Sequence, residues 1–184
     1  NKMQFEPGRR KAVGDAVFWM GYDRFYIYDG RVQVIPCSVR DHVFQDFNET
    51  QSDKAYAGVN SAFGEVFWLY PSQTNAVSNG GTGENDKYVV YNYDQKIWYV
   101  GSLARSSWID RGVYQYPMAT DSNLVYNHEK GNDNDGTAFT SFIESSPLDV
   151  QDGDQFVFLR RMIPDVSFDN SDSDISNDNK QAVF

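Results

Sequence analysis

Cysteine, histidine, positive charge and long apolar runs are all scarce in these 184 residues. A single cysteine, Cys37, cannot close an internal disulfide, which excludes a disulfide-stapled scaffold. Set between Ile35-Pro36 and Ser38-Val39, it is expected as a small buried apolar residue rather than a reactive thiol. The only histidines, His42 and His128, stand far from each other and from Cys37, so no zinc-ligand spacing is present. No apolar run approaches the ~18 residues that a membrane-spanning helix needs. Asn1-Lys2-Met3-Gln4-Phe5 has neither an initiator Met nor the hydrophobic segment of a secretory signal. The chain stops on Gln181-Ala-Val-Phe184; both ends look cut, and a portion of a longer protein is expected. With 16 Lys and Arg against 26 Asp and Glu, the net charge is −10. That balance argues against ordinary tight nucleic-acid binding, which depends on cations neutralising phosphates. The one cationic cluster, Arg9-Arg10-Lys11, is expected to be a solvated face rather than a phosphate contact.

Aromatic residues are abundant. They make up 16% of the chain, with 12 Tyr and 13 Phe, and they recur in short β-rich runs between clusters of Gly, Asn and Asp. Lys87 to Val100 is the clearest run. Tyr88, Val90 and Asn92 alternate with Val89, Tyr91 and Tyr93, a turn falls around Asp94-Gln95, and Ile97 to Val100 returns. Period-two β-branched and aromatic residues on both faces predict a hairpin packed on both sides. Upstream, strands are predicted at Ala16–Met20, Arg24–Tyr28 and Arg31–Ile35, with Asp29-Gly30 as a type I′ turn and Pro36 ending the pairing. Val39, Val43, Phe44 and Phe47 form a helical stripe with Ser38 as N-cap, and Asn48 opens a second short helical turn. Strands follow at Ala55–Asn60 and Glu65–Tyr70, then a Ser/Asn/Gly loop over 71–86. Beyond the hairpin, 101–112 leads away and Tyr116-Pro117 begins a third unit. Its strands are Asn123–His128 and Thr137–Ile143, with a last one at Gln155–Ile163 closed by Pro164. The acidic stretch from Asp169 to Asn179 reads as a flexible linker.

Val17-Phe-Trp19 returns as Val66-Phe-Trp68, and Tyr28-Asp29 has a counterpart in Tyr93-Asp94. A period near ~50 residues with about four short antiparallel strands per unit matches propeller blades. The predicted fold is therefore all-β, with β-propeller-like antiparallel blades (an incomplete propeller or fragment) and one short helical crossover. A β-sandwich with long loops is the alternative. Residues 14–168 form the β body and 169–184 an acidic polar loop or linker.

Signatures of catalysis are sparse. His42 lies beside Asp41 in the helical stretch and is expected at the surface. His128 precedes Glu129, a pairing that suits base and orienter, but no Ser or Cys nucleophile elbow accompanies it. Asn132-Asp-Asn-Asp-Gly136 resembles a calcium loop until it is aligned. With Gly136 at the sixth position, the first ligand position falls on Gly131 and the twelfth on Phe142. Asp149, Asp152, Gly153 and Asp154 make a second acidic turn with the same defect. Gly80, Gly81 and Gly83 precede a strand, so they do not cradle a phosphate at a helix start. No sialidase-type Ser-x-Asp-x-Gly-x-x-Trp box occurs. No catalytic, cofactor-binding or metal-ligating residue is assigned, no cofactor is expected, and the aromatic wealth is expected to be core. Trp98→Ala should cost about 3–5 kcal/mol if that site is fully buried.

An ordered set of short segments carries a family resemblance. It runs Cys37-Ser-Val-Arg-Asp41 with Val43-Phe44, Gly58-Val-Asn60, Glu65-Val-Phe-Trp68 with Tyr70-Pro-Ser72, and Asn85-Asp-Lys-Tyr-Val-Val-Tyr-Asn92 with Trp98. It continues through Arg105, Trp108-Ile-Asp-Arg-Gly112, His128-Glu129 with Gly131 and Asp133, Ile143-Glu-Ser145, Asp152-Gly-Asp154 and Arg160-Arg-Met-Ile-Pro-Asp165. Over residues 14 to 168 the chain resembles the packaged-DNA stabilisation, or tail-hub and nozzle, proteins of short-tailed bacteriophages. The resemblance implies a non-enzymatic structural component of the virion tail, made in the host cytoplasm and without a membrane anchor. It implies propeller-like domains in a longer parent, six copies in a ring below the portal, and contacts with portal, adaptor and other tail proteins. Packaged DNA would be channel content and not a sequence-specific partner. A carbohydrate-binding or glycan-hydrolysing β module of a tail protein is the alternative.

Overall fold

A computed structural model of the chain describes residues 9–131, strand residues 133–134 and 137–138, and residues 160–161. The chain divides into two units, Asn1–Lys130 and Gly131–Phe184. The first unit holds three antiparallel sheets.

The first sheet is a meander of β1 (Arg10–Val13), β2 (Ala16–Met20), β3 (Phe25–Tyr28) and β4 (Val32–Ile35). Alternation sorts its side chains. Phe18, Met20, Phe25 and Ile35 join a buried core, while Val17, Trp19, Tyr26, Tyr28, Val32 and Val34 take the other face. Cross-strand partners share a face: Trp19 pairs with Tyr26, and their rings stack at 5.3 Å. Tyr28 pairs with Val32, so the β3–β4 loop has three residues, not the two of a type I′ turn. Of Asp29 and Gly30 only the glycine has positive φ, at 111°, whereas a type I′ turn needs it at both central residues. The cationic cluster lies where β1 begins, so β1 gives no alternating signal of its own; pairing to β2 makes it a strand.

The crossover helix α1 covers Arg40–Asp46. Its stripe packs as expected, with Val43 and Phe47 buried and Val39 and Phe44 against the same core. Ser38 is not its cap: the helix begins from Val39 with no side-chain capping bond. Asn48 does cap the next turn, a 3-10 segment Glu49–Lys54, by accepting from the Thr50 amide.

The second sheet contains β5 (Tyr56–Asn60), β6 (Glu65–Tyr70), β7 (Lys87–Asn92) and β8 (Ile97–Ser102), again in sequential order. The β7–β8 reversal spans residues 93–96 and is organised from Asn92. Its Oδ1 accepts from the amides of Asp94 and Gln95, and Lys96 adopts φ 59°. The long β6–β7 connection is tied down by side chains. Asn75 bonds to Thr82 and to the Glu84 carbonyl, and Asp86 accepts from the amide and hydroxyl of Ser72.

The third sheet has the order β11-β10-β9, with β9 at Ser107–Ile109, β10 at Met118–Asp121 and β11 at Leu124–Asn127. The third unit therefore starts at β9, inside the stretch read from sequence as a connection. In the second unit, β12 (Asp133–Asn134) pairs with β13 (Thr137–Ala138). Asp133 and Asn134 thus form a strand within the span read as a loop. The expected strand at 155–163 and the acidic linker lie outside the described residues apart from Arg160 and Arg161, as does the 139–143 part of the expected Thr137–Ile143 strand.

The middle sheet is buried on both faces along β5 to β7, while β8 stays half-buried to exposed, so the return strand of the predicted hairpin is not packed on both sides. Val66, Trp68, Tyr70, Val89 and Tyr91 meet Phe18, Met20, Phe25 and α1 on one side. Phe67, Leu69 and Val90 meet Trp108 and Ala119 on the other. Phe67 reaches Trp108 edge-on at 4.9 Å. Its ring lies over its cross-strand partner Gly58, where a β-carbon would collide with it, and Tyr88 lies over Gly101 in the same way. β1 runs beside β5, and β5 beside β9. Among the described residues the protein is mostly β, in antiparallel sheets with one short α-helix, as its sequence predicts.

Candidate functional site

The residues with chemical potential are mostly engaged in holding sheets together. Arg9 is buried, at 4% exposure, contrary to a solvated face. Its guanidinium donates twice to the Ser52 carbonyl and lies 5.0 Å from the Phe47 ring centre, while its own carbonyl accepts from Trp68 Nε1. The cation thus fastens the start of β1 to the 3-10 turn and to β6. Lys11 is partly exposed, on β1.

His42 is exposed on α1, as predicted. His128 follows β11 and stands 4.9 Å from the Trp108 ring, and its Nε2 accepts from Arg105 Nε at 3.0 Å. Burial, then the Arg105 charge, lowers its pKa to about 4. The neutral ring has committed its lone pair to a guanidinium, so it is not a free base. Arg105 also lies over the Tyr126 ring at 4.1 Å. Glu129 does not orient His128: its Oε1 accepts from Asn60 Nδ2 at 3.2 Å. Adjacency in sequence therefore does not make a dyad here. Arg105, the real partner of His128, is 23 residues away and carries no local signal.

Cys37 is partly buried against the first core, and burial pushes its thiol up to about 11, away from nucleophilic chemistry. It lines an open hollow with Pro36, Ser38, Lys96, Ile97 and Trp98. Trp98 is half-buried, not fully buried. Its Nε1 donates to the Pro36 carbonyl, and its ring packs 4.6 Å from Phe25 and 4.7 Å from Tyr91. The side chains of the Asn132–Gly136 turn and the acidic turn at 149–154 lie outside the described residues.

One polar convergence has no counterpart in the sequence reading. Asn60 and Glu65 are cross-strand partners at the turn end of β5 and β6, on the face toward the third sheet. Tyr99 donates its hydroxyl to Glu65 Oε1 at 2.5 Å, and Glu129 reaches Asn60 from beyond β11. Asp110, just past β9, accepts from the Ser61 amide in the adjoining turn. The Tyr99 phenol is pushed well up by burial, then by its bond to Glu65 and by the charges of Glu65 and Glu129. Asn60 is 4% exposed, and its Oδ1 is buried and accepts no hydrogen bond among the described residues. Among those residues no three or more His, Cys, Asp or Glu side chains group closely enough to hold a metal by themselves.

No family model matches the chain, and no curated protein matches its sequence.

Proposed function

We propose that this chain is a structural component of a phage tail hub or nozzle, with its sheets stacked as propeller-like blades around a DNA channel. The observation that carries this reading is the middle sheet, a four-stranded meander whose strands β5 to β7 are buried on both faces between two other sheets. The sheets follow one another in sequence, and their first strands β1, β5 and β9 lie side by side, the order in which blades succeed one another about an axis. Val17 and Trp19 occupy on β2 the place that Val66 and Trp68 occupy on β6. The β6 pair faces the preceding sheet; the β2 pair lies on the face of the first sheet away from the second, where Trp19 is buried and Val17 half-buried.

The physical role follows from that body. Interlocked Trp, Tyr and Phe between sheets resist deformation, because aromatic layers at interior density have no slack. A net charge of −10 keeps a channel wall from holding the polyanion it guides. In this proposal the longer parent assembles as a ring, of six copies by resemblance, joined to portal or adaptor. Electron microscopy of the longer protein tests it, together with co-purification with a portal ring. A closed ring bound to portal is the expected result. A monomer that ignores portal and instead binds or cleaves glycans on an array would replace it with the carbohydrate reading.

A further inference from the structure

The turn end of β5 and β6, on the face toward the third sheet, has donor chemistry that the stacking role does not use. Glu65 lies opposite Asn60 in the second sheet, Glu129 accepts from Asn60 from beyond the end of β11, and Asp110 accepts from the Ser61 amide in the next turn. None of these three carboxylates is in an ion pair among the described residues. Tyr99 and Asn60 offer each glutamate a hydrogen bond, but neither brings a positive charge. Asn60 Oδ1 meanwhile sits buried with no donor among the described residues, a condition that is unfavourable unless a partner is supplied.

We propose that this group of oxygens binds a divalent cation of the calcium type, held by Glu65, Glu129 and the amide oxygen of Asn60. All three donors are hard oxygens, the set that calcium accepts in flexible geometry with water completing its shell, and no soft ligand is present. A cation there neutralises the two glutamates and satisfies the buried amide oxygen. It also ties β5 and β6 to the segment after β11, acting as a clip between adjacent sheets. Two carboxylates are few for a calcium site, which places it among weak, structural sites rather than signalling ones.

Terbium, a luminescent substitute for calcium, reads this site directly because the Tyr99 ring beside Glu65 can sensitise its emission. The 184-residue chain is titrated with terbium, and calcium is then added to displace it. Thermal unfolding is followed in calcium and in chelator. Sensitised emission that calcium displaces, and a melting temperature raised by calcium, are expected. Both responses should weaken more than about tenfold in affinity for Glu65→Gln and for Glu129→Gln, each losing one charged ligand while keeping its hydrogen-bonding shape. Tyr99→Phe should dim the emission with little change in affinity. No sensitised emission overturns the proposal. So does an unchanged calcium response in both glutamine variants, since the cation would then sit elsewhere, for example on the acidic turns of the second unit.

Discussion

Trp68 and Trp98 lie in one sheet with ring centres 6.1 Å apart, yet they should respond differently to truncation. Trp68 is fully buried and donates to the Arg9 carbonyl. Trp68→Ala leaves a large cavity and removes that hydrogen bond, and should cost about 3–5 kcal/mol in urea unfolding. Trp98 closes the same aromatic cluster but keeps one edge in solvent, so Trp98→Ala should cost roughly half as much. Equal losses at the two positions would contradict this packing. His128 supplies a prediction in pH. Its ordinary value of 6.5 falls to about 4 in the fold. Below pH 6.5 the unfolded chain therefore takes up a proton that the folded chain refuses. Stability is unaffected by this group above 6.5 and declines as pH falls from 6.5 toward 4. His128→Gln retains an acceptor for Arg105 and should remove part of that decline, about 1 kcal/mol after allowance for solvent screening. Unfolding midpoints of both proteins across that window check it. Nothing near His128 in sequence shows this behaviour, because its cause is Arg105 and burial against Trp108 from another strand.

At the scale of elements, legibility tracked whether a strand carries its own alternation. β2 and β6 stand where their period-two runs place them, and the two buried faces of β7 divide as Val89/Tyr91 and Val90. β9 is three residues long and cannot show a period; it is a strand because Trp108 pairs opposite Ala119 and packs on Phe67. The β7–β8 turn was visible from Asp94, yet its bonds come from Asn92, a residue the alternation assigns to the strand. The convergence at Asn60 was invisible for a similar reason, since Asn60 and Glu129, 69 residues apart, meet only in the folded chain. The glycines within the second sheet give the sharpest test at this scale. Gly58 lets the Phe67 ring lie flat on β5 and reach Trp108. Valine has the better strand propensity, but at this position its branches would lift Phe67 from the third sheet. Gly58→Val should therefore destabilise by about 2–3 kcal/mol, seen as a lower denaturant midpoint. A neutral or stabilising result would mean that β propensity outweighs this contact.

For the whole molecule, the two outer faces of the stack carry the question of what surrounds it. The first sheet exposes Tyr28, Val32 and Val34 at 47% each, and the third sheet exposes Ile109 at 56% and Val125 at 66%. Faces of this kind are left apolar where another sheet is to cover them, and in soluble proteins they mark interaction surfaces. Under the blade proposal they are the sites of further sheets in the longer protein, and stacking from one outer face to the next closes a ring only when the rotation per blade is right. Val34→Lys separates the possibilities. In the 184-residue chain the lysine reaches water, and stability should change by no more than about 0.5 kcal/mol. In the longer protein the same charge would be buried without a partner and should cost about 3 kcal/mol or more, or abolish ring assembly. Denaturant midpoints of both forms, with sedimentation to follow assembly, decide it. Tolerance in both would mean that the face remains open and that no blade lies against it.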